Sequence, residues 1–310
     1  ERRTLENGKW KWKMENGKWK METARTYKCA YNGIQQQNID SSNSNSYSSI
    51  GPNQTTMSGE TMFPDIFQEP EGFLPKQPKG TLATYYTLTT DTHLQVNLVG
   101  SSPLYGHILT HACLYLAKYI EEHAADLVKG KTVLEVGSGG ALPSILSAHL
   151  GAKYVISTDY PDPELIENIA LNIKENNVSS NCSTLGYIWG NDTEEIVNTL
   201  QEKTNNTANT FDIIILSDVI FNHSEHVKLL NTCRELLTPK TGKILVTFSP
   251  HRPKLLDADL LFFETATTEP FNFQSKFMDM EHWSPLFKDD TDEATVEIRS
   301  RVYFYVLTDS

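Results

Sequence analysis

The chain has 310 residues, of which 39% are hydrophobic and 10% aromatic, an ordinary composition for a globular protein with a substantial core. Its formal net charge is −12, and because residues 1–28 hold nine Lys and Arg against four acidic residues, the remainder carries −17. An acidic body repels the phosphates of nucleic acid and favours cationic partners.

The first 56 residues differ in composition from the rest. The hexapeptide ENGKWK occurs at 6–11 and again at 15–20, and Lys alternates with Trp or Met on both sides of Asn16-Gly17. This pattern is typical of a small hairpin, either a basic and aromatic patch for membranes or single strands, or, as we favour, an accidental duplication. The polar stretch that follows favours disorder. We interpret 1–56 as a low-complexity, disordered extension, which a gene-prediction error could have added, and 57–310 as the folded domain.

Strand and helix patterns alternate from residue 92 onward. Strands are predicted at 92–100, 132–136, 153–158, 182–188, 211–217 and 242–249, and helices at 106–124, 141–150, 162–177, 193–202 and 224–237. Continuous apolar strands between amphipathic helices are typical of a parallel sheet covered on both faces. Two last strand patterns, 271–280 and 294–307, predict an antiparallel hairpin at one edge. The expected fold class is α/β, with a doubly wound, mostly parallel seven-stranded sheet.

A glycine loop joins the strand at 132–136 to the next helix. Its residues, 137–140, can let backbone approach a ligand, and ligands of such sheets bind beyond the carboxyl ends of the strands. No P-loop motif is present, and Leu142 replaces the last glycine of the dinucleotide motif G-x-G-x-x-G. Glu135 precedes the loop, where a carboxylate would repel a pyrophosphate but suit a cation.

Polar and aromatic residues follow the other strands. Asp159 lies 22 residues after Gly137, where it could bind both hydroxyls of a ribose or only begin a helix. A ligand with a ribose, a positive charge and no phosphate fits these features, so S-adenosylmethionine is the expected cofactor. Trp189 could stack on adenine or cover the core, and Ser217 could contact the ligand or end its strand. Tyr105 could fold over the site or only lead into a helix.

These residues distinguish three possible classes of function. An NAD(P)-dependent oxidoreductase is disfavoured by Leu142 and Glu135, and a decayed binding module by the retained loop, ribose acid and Trp. A methyltransferase needs mainly to align the reacting atoms and exclude water. Asp218 and Phe221 are then candidates for lining an amine pocket, the carboxylate attracting a cation and the ring forming a wall. His251 either shapes the substrate mouth or joins a surface ion pair.

Neither the cysteine spacing nor the hydropathy indicates a further class of function. The four cysteines lie far apart without a C-x-x-C pair, so neither a disulfide framework nor a metal site is indicated. The sequence has no apolar run long enough to cross a membrane and no secretory h-region near its start. We therefore expect a monomeric, cytoplasmic protein without nucleic-acid or membrane partners.

Six segments together resemble a known family: VGSSPLYGHILTHACLYLAKYI, VLEVGSGGALPSI, VISTDYPDPELIENI, YIWGND, ILSDVIFNHSEHVKLL and FSPHRP. They are similar to the fungal protein N-terminal and lysine methyltransferases that act on translation elongation factor 1-alpha, in the seven-stranded, lysine-methyltransferase-like group. Some members were earlier labelled nicotinamide N-methyltransferases. The resemblance covers about residues 65–310 and implies a Rossmann-like class I methyltransferase fold.

The resemblance also implies a cofactor, a substrate and site residues. It implies S-adenosylmethionine, and transfer to the N-terminal glycine and adjacent lysine of elongation factor 1-alpha, with a nicotinamide-like small molecule as the alternative. The family usually has Trp where this chain has Tyr105, and no catalytic residue is assigned. The implied cofactor contacts are Tyr105, Gly137, Ser138, Gly139, Asp159, Trp189 and Ser217.

Overall fold

The computed structural model describes residues 78–287, except 91, 206 and 208, then 292–309, and the backbone of three short strands nearer the start. Strands β1 (Lys11–Glu15) and β2 (Lys18–Glu22) pair antiparallel, with Glu15 opposite Lys18. The alternating repeat therefore forms the hairpin that its pattern predicts. It belongs to one compact unit, Glu1–Ile34, and every later element belongs to a second unit, Gln35–Ser310.

A small antiparallel sheet begins the second unit. Its strands are β3 (Gln36–Asn38), β4 (Thr81–Tyr86) and β5 (His93–Leu98), in that order. Only β5 is predicted by the sequence. The pairing of β3 with β4 differs from the expectation of disorder throughout 1–56, because backbone hydrogen bonds to a neighbouring strand do not require apolar side chains. The rest of that segment, with the proposed boundary at 57, lies outside the described residues.

The main sheet has seven strands in the order β11-β12-β10-β9-β6-β7-β8. Strands β6 to β10 run parallel, and β12 pairs antiparallel with both β10 and β11. This confirms the predicted fold class, including the hairpin at one edge. The strands are β6 (Thr132–Val136), β7 (Tyr154–Asp159), β8 (Cys182–Gly186), β9 (Ile213–Ser217), β10 (Lys243–Phe248), β11 (Phe273–His282) and β12 (Arg301–Asp309).

Helices cover both faces of the main sheet. They are α1 (His111–Glu122), α2 (Ala124–Leu127), α3 (Leu142–His149), α4 (Pro163–Glu175), α5 (Glu194–Thr204), α6 (His226–Leu236), α7 (Leu256–Ala266) and α8 (Val296–Arg299). Leu134 packs in one apolar cluster with side chains of α5, α6 and α7, whereas its neighbour Glu135 bonds to Ser144 of α3 on the other face. Helices α1 and α4 lie on the α3 side. In the part of the chain that is described, no helix has both the length and the apolarity to cross a bilayer.

Helices α7 and α8 differ from the sequence prediction, and the short α2 extends beyond the helix predicted at 106–124. Helix α7 was not predicted, because the exposed Leu261 lies beside the buried Phe262 and Phe263 and obscures the apolar face. Residues 296–299 were predicted as strand but form α8. The Arg299 side chain donates to Thr295 Oγ1 at 3.1 Å and to the Asp292 carbonyl at 2.9 Å, which favours a helical turn.

An asparagine ladder on α4 holds the small sheet against the main one. The fully buried Asn172 accepts from the Asn97 N–H at 2.8 Å and donates to the carbonyls of Asn97 at 2.8 Å and Gly140 at 3.1 Å. Asn176 bonds in the same way to both backbone groups of Gln95. Because each amide both donates and accepts, the ladder satisfies the edge of β5 and fixes the end of the glycine loop.

Candidate cofactor and substrate site

A cavity of about 230 Å³ lies beyond the carboxyl ends of β6, β7, β8 and β9. The parallel direction of these strands brings their following loops to one edge of the sheet. All nine residues predicted as cofactor contacts or as amine-pocket lining line this cavity: Tyr105, Gly137, Ser138, Gly139, Asp159, Trp189, Ser217, Asp218 and Phe221.

The glycine loop needs its glycines for conformation and for space. Gly137 and Gly139 have φ of 77° and 54°, the left-handed region that side chains disfavour. A Cβ on Gly137 would lie 2.6 Å from Val219 Cγ1 and 3.3 Å from Trp189 Cζ2. The loop therefore presents bare backbone to the cavity, as a ligand-binding turn must.

Asp159 clamps this loop. Its Oδ2 accepts the Gly139 N–H at 2.7 Å, and its Oδ1 accepts the Tyr160 N–H at 2.7 Å. Burial raises the pKa of the carboxyl, and the two backbone hydrogen bonds oppose that rise. Each oxygen keeps a further lone pair, so the residue can hold the loop and still accept from a ligand.

Glu135 carries an unsatisfied oxygen at the cavity wall. Its side chain is 1% exposed, and Oε2 accepts the Ser144 N–H at 3.0 Å and the Ser144 hydroxyl at 2.5 Å. Its Oε1 is buried and has no hydrogen-bond partner among the described residues. Burial raises the pKa of Glu135 to about 8, although the bonds from Ser144 oppose it. A cationic ligand beside this carboxyl would favour its ionised form and gain from the attraction, whereas a pyrophosphate would not, so the site fits S-adenosylmethionine better than NAD.

The raised Glu135 pKa predicts a pH-dependent stability. Protonation of the Glu135 carboxyl stabilises the folded protein. This contribution is fully present below pH 4.5, the ordinary pKa of the group, and is lost as the pH rises through about 8. Glu135→Gln removes that dependence. From about pH 5 to about pH 9 the unfolding free energy of the wild type should fall by roughly 2–4 kcal/mol relative to the variant, measured by urea unfolding without ligand. Parallel pH profiles for the two proteins would contradict the burial of this carboxyl.

Asp218 forms a buried ion pair at the other side of the cavity. Its Oδ2 lies 2.8 Å from His251 Nε2, and its Oδ1 accepts the Ser249 N–H at 3.2 Å. Burial favours the neutral carboxyl, but the His251 charge and these hydrogen bonds outweigh it, so the pKa of Asp218 lies below its ordinary value. Burial lowers and Asp218 raises the pKa of His251, with a net rise. The His251–Asp218 pair is therefore buried and is not a surface ion pair; Asp218 lines the cavity, and His251 supports it from behind.

Aromatic rings surround the mouth of the cavity. Tyr105, in a left-handed conformation with φ of 62°, meets Phe221 edge to face at 5.4 Å between ring centroids. Its ring also lies 5.9 Å from Phe287 and 6.4 Å from His251. Such a ring cluster can exclude water and attract a cation. Phe287 was missed in the sequence, since it follows β11 without any recognisable motif.

The structure is compatible with both roles predicted for Trp189 and with both predicted for Ser217. Trp189 is half-buried and packs against the core cluster while one edge of its ring approaches Gly137. Ser217 ends β9 and also lines the cavity. The backbone of Gly190 after Trp189 donates to Thr232 Oγ1 at 2.9 Å, which holds this loop at the site. Direct cofactor contacts by these residues stay a prediction.

The strand order, the glycine loop after β6 and the acids at the ends of β6 and β7 define a Rossmann-like methyltransferase fold. Residues 92–269 match the family described as lysine methyltransferase. A Candida albicans protein named "Protein N-terminal and lysine N-methyltransferase EFM7" is 45% identical over 78% of this chain and 94% of its own length. The Schizosaccharomyces pombe protein of that name is 40% identical, again over 78% and 94%.

Among solved structures, an O-methyltransferase from Bacillus cereus in complex with SAH is 15% identical with a TM-score of 0.42, over 67% of this chain and 84% of that one. The family match and the relatives at 40–45% identity show that the chain belongs to the lysine methyltransferase family. It is an S-adenosylmethionine-dependent N-methyltransferase.

Proposed function

We propose that this chain methylates the N-terminal amine and the adjacent lysine of translation elongation factor 1-alpha. The observation that carries the proposal is one cavity with two different ends, a glycine loop with two acids at one end and a carboxylate among aromatic rings at the other. The relatives' names, which state protein N-terminal and lysine methylation, support a protein amine as acceptor. The family resemblance supports elongation factor 1-alpha as that protein.

The first end would hold the cofactor. S-adenosylmethionine supplies a methyl group on a sulfonium, already activated for transfer. The loop from Gly137 to Gly139 would approach it with backbone, Asp159 would accept from the ribose, and Trp189 would contact the adenine. The unpaired Oε1 of Glu135 would face positive charge.

The second end would hold the amine. Asp218 would accept a hydrogen bond from it, and the rings of Tyr105 and Phe221 would exclude water. The acceptor nitrogen must reach the methyl group with a free lone pair. Because His251 balances the charge of Asp218, the pocket can orient an amine without strongly favouring the protonated ammonium. An amine that arrives neutral then needs alignment and no separate general base.

The charge of the chain supports a peptide over a small neutral acceptor. Residues outside 1–28 carry −17, which concentrates a basic tail near the protein and gives nicotinamide no advantage. We place the activity in a domain from 57 to 310 that acts as a monomer in the cytoplasm.

The choice of substrate is tested with labelled cofactor. We expect label in a peptide of the elongation factor tail and none in nicotinamide. Transfer to the peptide should weaken as salt rises, because exposed charges are screened beyond about 8–10 Å at physiological ionic strength. Label in nicotinamide and none in the peptide would overturn the proposal.

A further inference from the structure

A second groove lies between α1, β11 and β12, separate from the site above. Its volume is about 280 Å³. Met278 and the rings of Tyr119 and Phe304 line it, and so do three carboxylates, Glu122, Asp279 and Glu281. We call these six residues the acidic groove. No part of the function described so far uses it.

The carboxylates of the acidic groove have no cationic partner in the described ranges. Asp279 Oδ2 accepts the Tyr115 hydroxyl at 3.1 Å, and Glu281 Oε2 accepts the Trp283 ring N–H at 3.2 Å. Glu122 is exposed, and Lys118, which also lines the groove, forms no ion pair with these acids in the described structure. The groove therefore combines an aromatic surface with an excess of negative charge. That combination suits a Lys or Arg side chain, whose stem packs on rings while its head meets carboxylates.

Helix α1 contributes residues to both the catalytic cavity and the acidic groove. Cys113 lines the cavity, and Tyr119 lies six positions further along the same helix. At 1.5 Å per residue, the two positions are separated by about 9 Å along the helix axis. An extended peptide covers that distance in about three residues.

The segment from β11 to Phe287 makes the same connection on the other side. Asp279 and Glu281 line the acidic groove, and Trp283 packs against His111 at the start of α1 with 5.4 Å between ring centroids. Phe287 then reaches Tyr105 at the mouth of the cavity, at 5.9 Å. One wall therefore borders both sites, so a single bound peptide could contact both.

We propose that the acidic groove binds a Lys or Arg side chain of the peptide substrate, about three to five residues after the amine that is methylated. This rests on the proposed peptide substrate. The bound cation fixes the peptide beside the cavity, so the groove contributes to affinity and selects basic tails. Its effect falls on KM, since the groove does not touch the reacting atoms.

The groove is tested with Glu122→Lys and two peptides. Both begin with the same residues, and one has Lys or Arg at about positions four to six where the other has neutral residues. We expect the variant to raise KM about five- to twentyfold for the basic peptide only, with kcat unchanged. Glu264→Lys is the matched control, because Glu264 is an exposed glutamate in the last turn of α7, across the sheet. It should change neither KM.

Two results would overturn the acidic groove as a docking site. One is an equal rise in KM for both peptides, and the other is an equal effect of the control variant. If the wild type methylates neither peptide, the proposed function fails, and direct binding decides the groove alone. Fluorescence anisotropy should then show that the wild type binds the basic peptide and Glu122→Lys binds it at least fivefold less. No binding by the wild type would also overturn the inference.

Discussion

Asp159→Ala is expected to weaken S-adenosylmethionine binding by about 1.5–3 kcal/mol, roughly ten- to a hundredfold. The carboxylate accepts backbone N–H groups from Gly139 and Tyr160, both at 2.7 Å, and is placed to accept from a ribose. The alanine variant loses both the clamp on the glycine loop and the ligand contact. Isothermal titration calorimetry with the cofactor measures the change directly.

Asp162→Ala is the matched control for this experiment. Asp162 lies three residues later and caps α4, with Oδ1 accepting the Glu164 N–H at 3.0 Å. Its loss should cost about 1 kcal/mol of stability and leave cofactor affinity unchanged. Unchanged affinity in Asp159→Ala, or an equal loss in both variants, would contradict the assigned role of Asp159.

Asp218→Asn is expected to lower kcat/KM for the tail peptide by about a hundredfold or more, equivalent to about 3 kcal/mol. The amide keeps the shape of the side chain but leaves His251 without its buried counter-charge, 2.8 Å away. The cofactor end of the cavity is unaltered, so the Kd for S-adenosylmethionine should stay within about twofold. Steady-state kinetics with calorimetry separate the two effects.

Asp259→Asn is the control that shows what the loss of a buried Asp–His pair does when that pair lies outside the cavity. Asp259 is also buried and lies 2.6 Å from His223, but neither residue lines the cavity. This variant should lose stability without a comparable loss of kcat/KM. If Asp259→Asn lost as much kcat/KM as Asp218→Asn, the loss in Asp218→Asn would reflect impaired folding and not the amine pocket. If Asp218→Asn kept full activity, the amine pocket would lie elsewhere.

The parallel part of the main sheet could be predicted from the sequence because β6, β7, β9 and β10 each contain an unbroken apolar run. Every strand of β6 to β10 has at most one exposed residue, so the pattern is hardly diluted by solvent contacts. The small sheet could not be predicted as a whole. In β4 only Ala83 and Tyr85 are buried, too few for a clear alternating pattern, and the bonds from Asn172 and Asn176 to β5 come from a distant helix that no local pattern reveals.

Part of the site could likewise be predicted from local sequence motifs, and the rest depends on the tertiary fold. Gly137, Gly139 and Asp159 follow directly from motif spacing, since the chain direction places strand ends together. The pairing of Asp218 with His251 and the contact of Phe287 with Tyr105 join segments far apart in the chain. No local pattern encodes those distances, and they became known only with the fold.

Tandem mass spectrometry of whole elongation factor 1-alpha tests the central claim most directly. The unmethylated protein is incubated with this chain and S-adenosylmethionine, and the positions of added methyl groups are mapped. The account predicts methyl groups on the N-terminal amine and the adjacent lysine, absent when Asp159→Ala replaces the wild type. Methylation confined to internal lysines, or an unmodified N-terminus with an enzyme that binds cofactor normally, would contradict it.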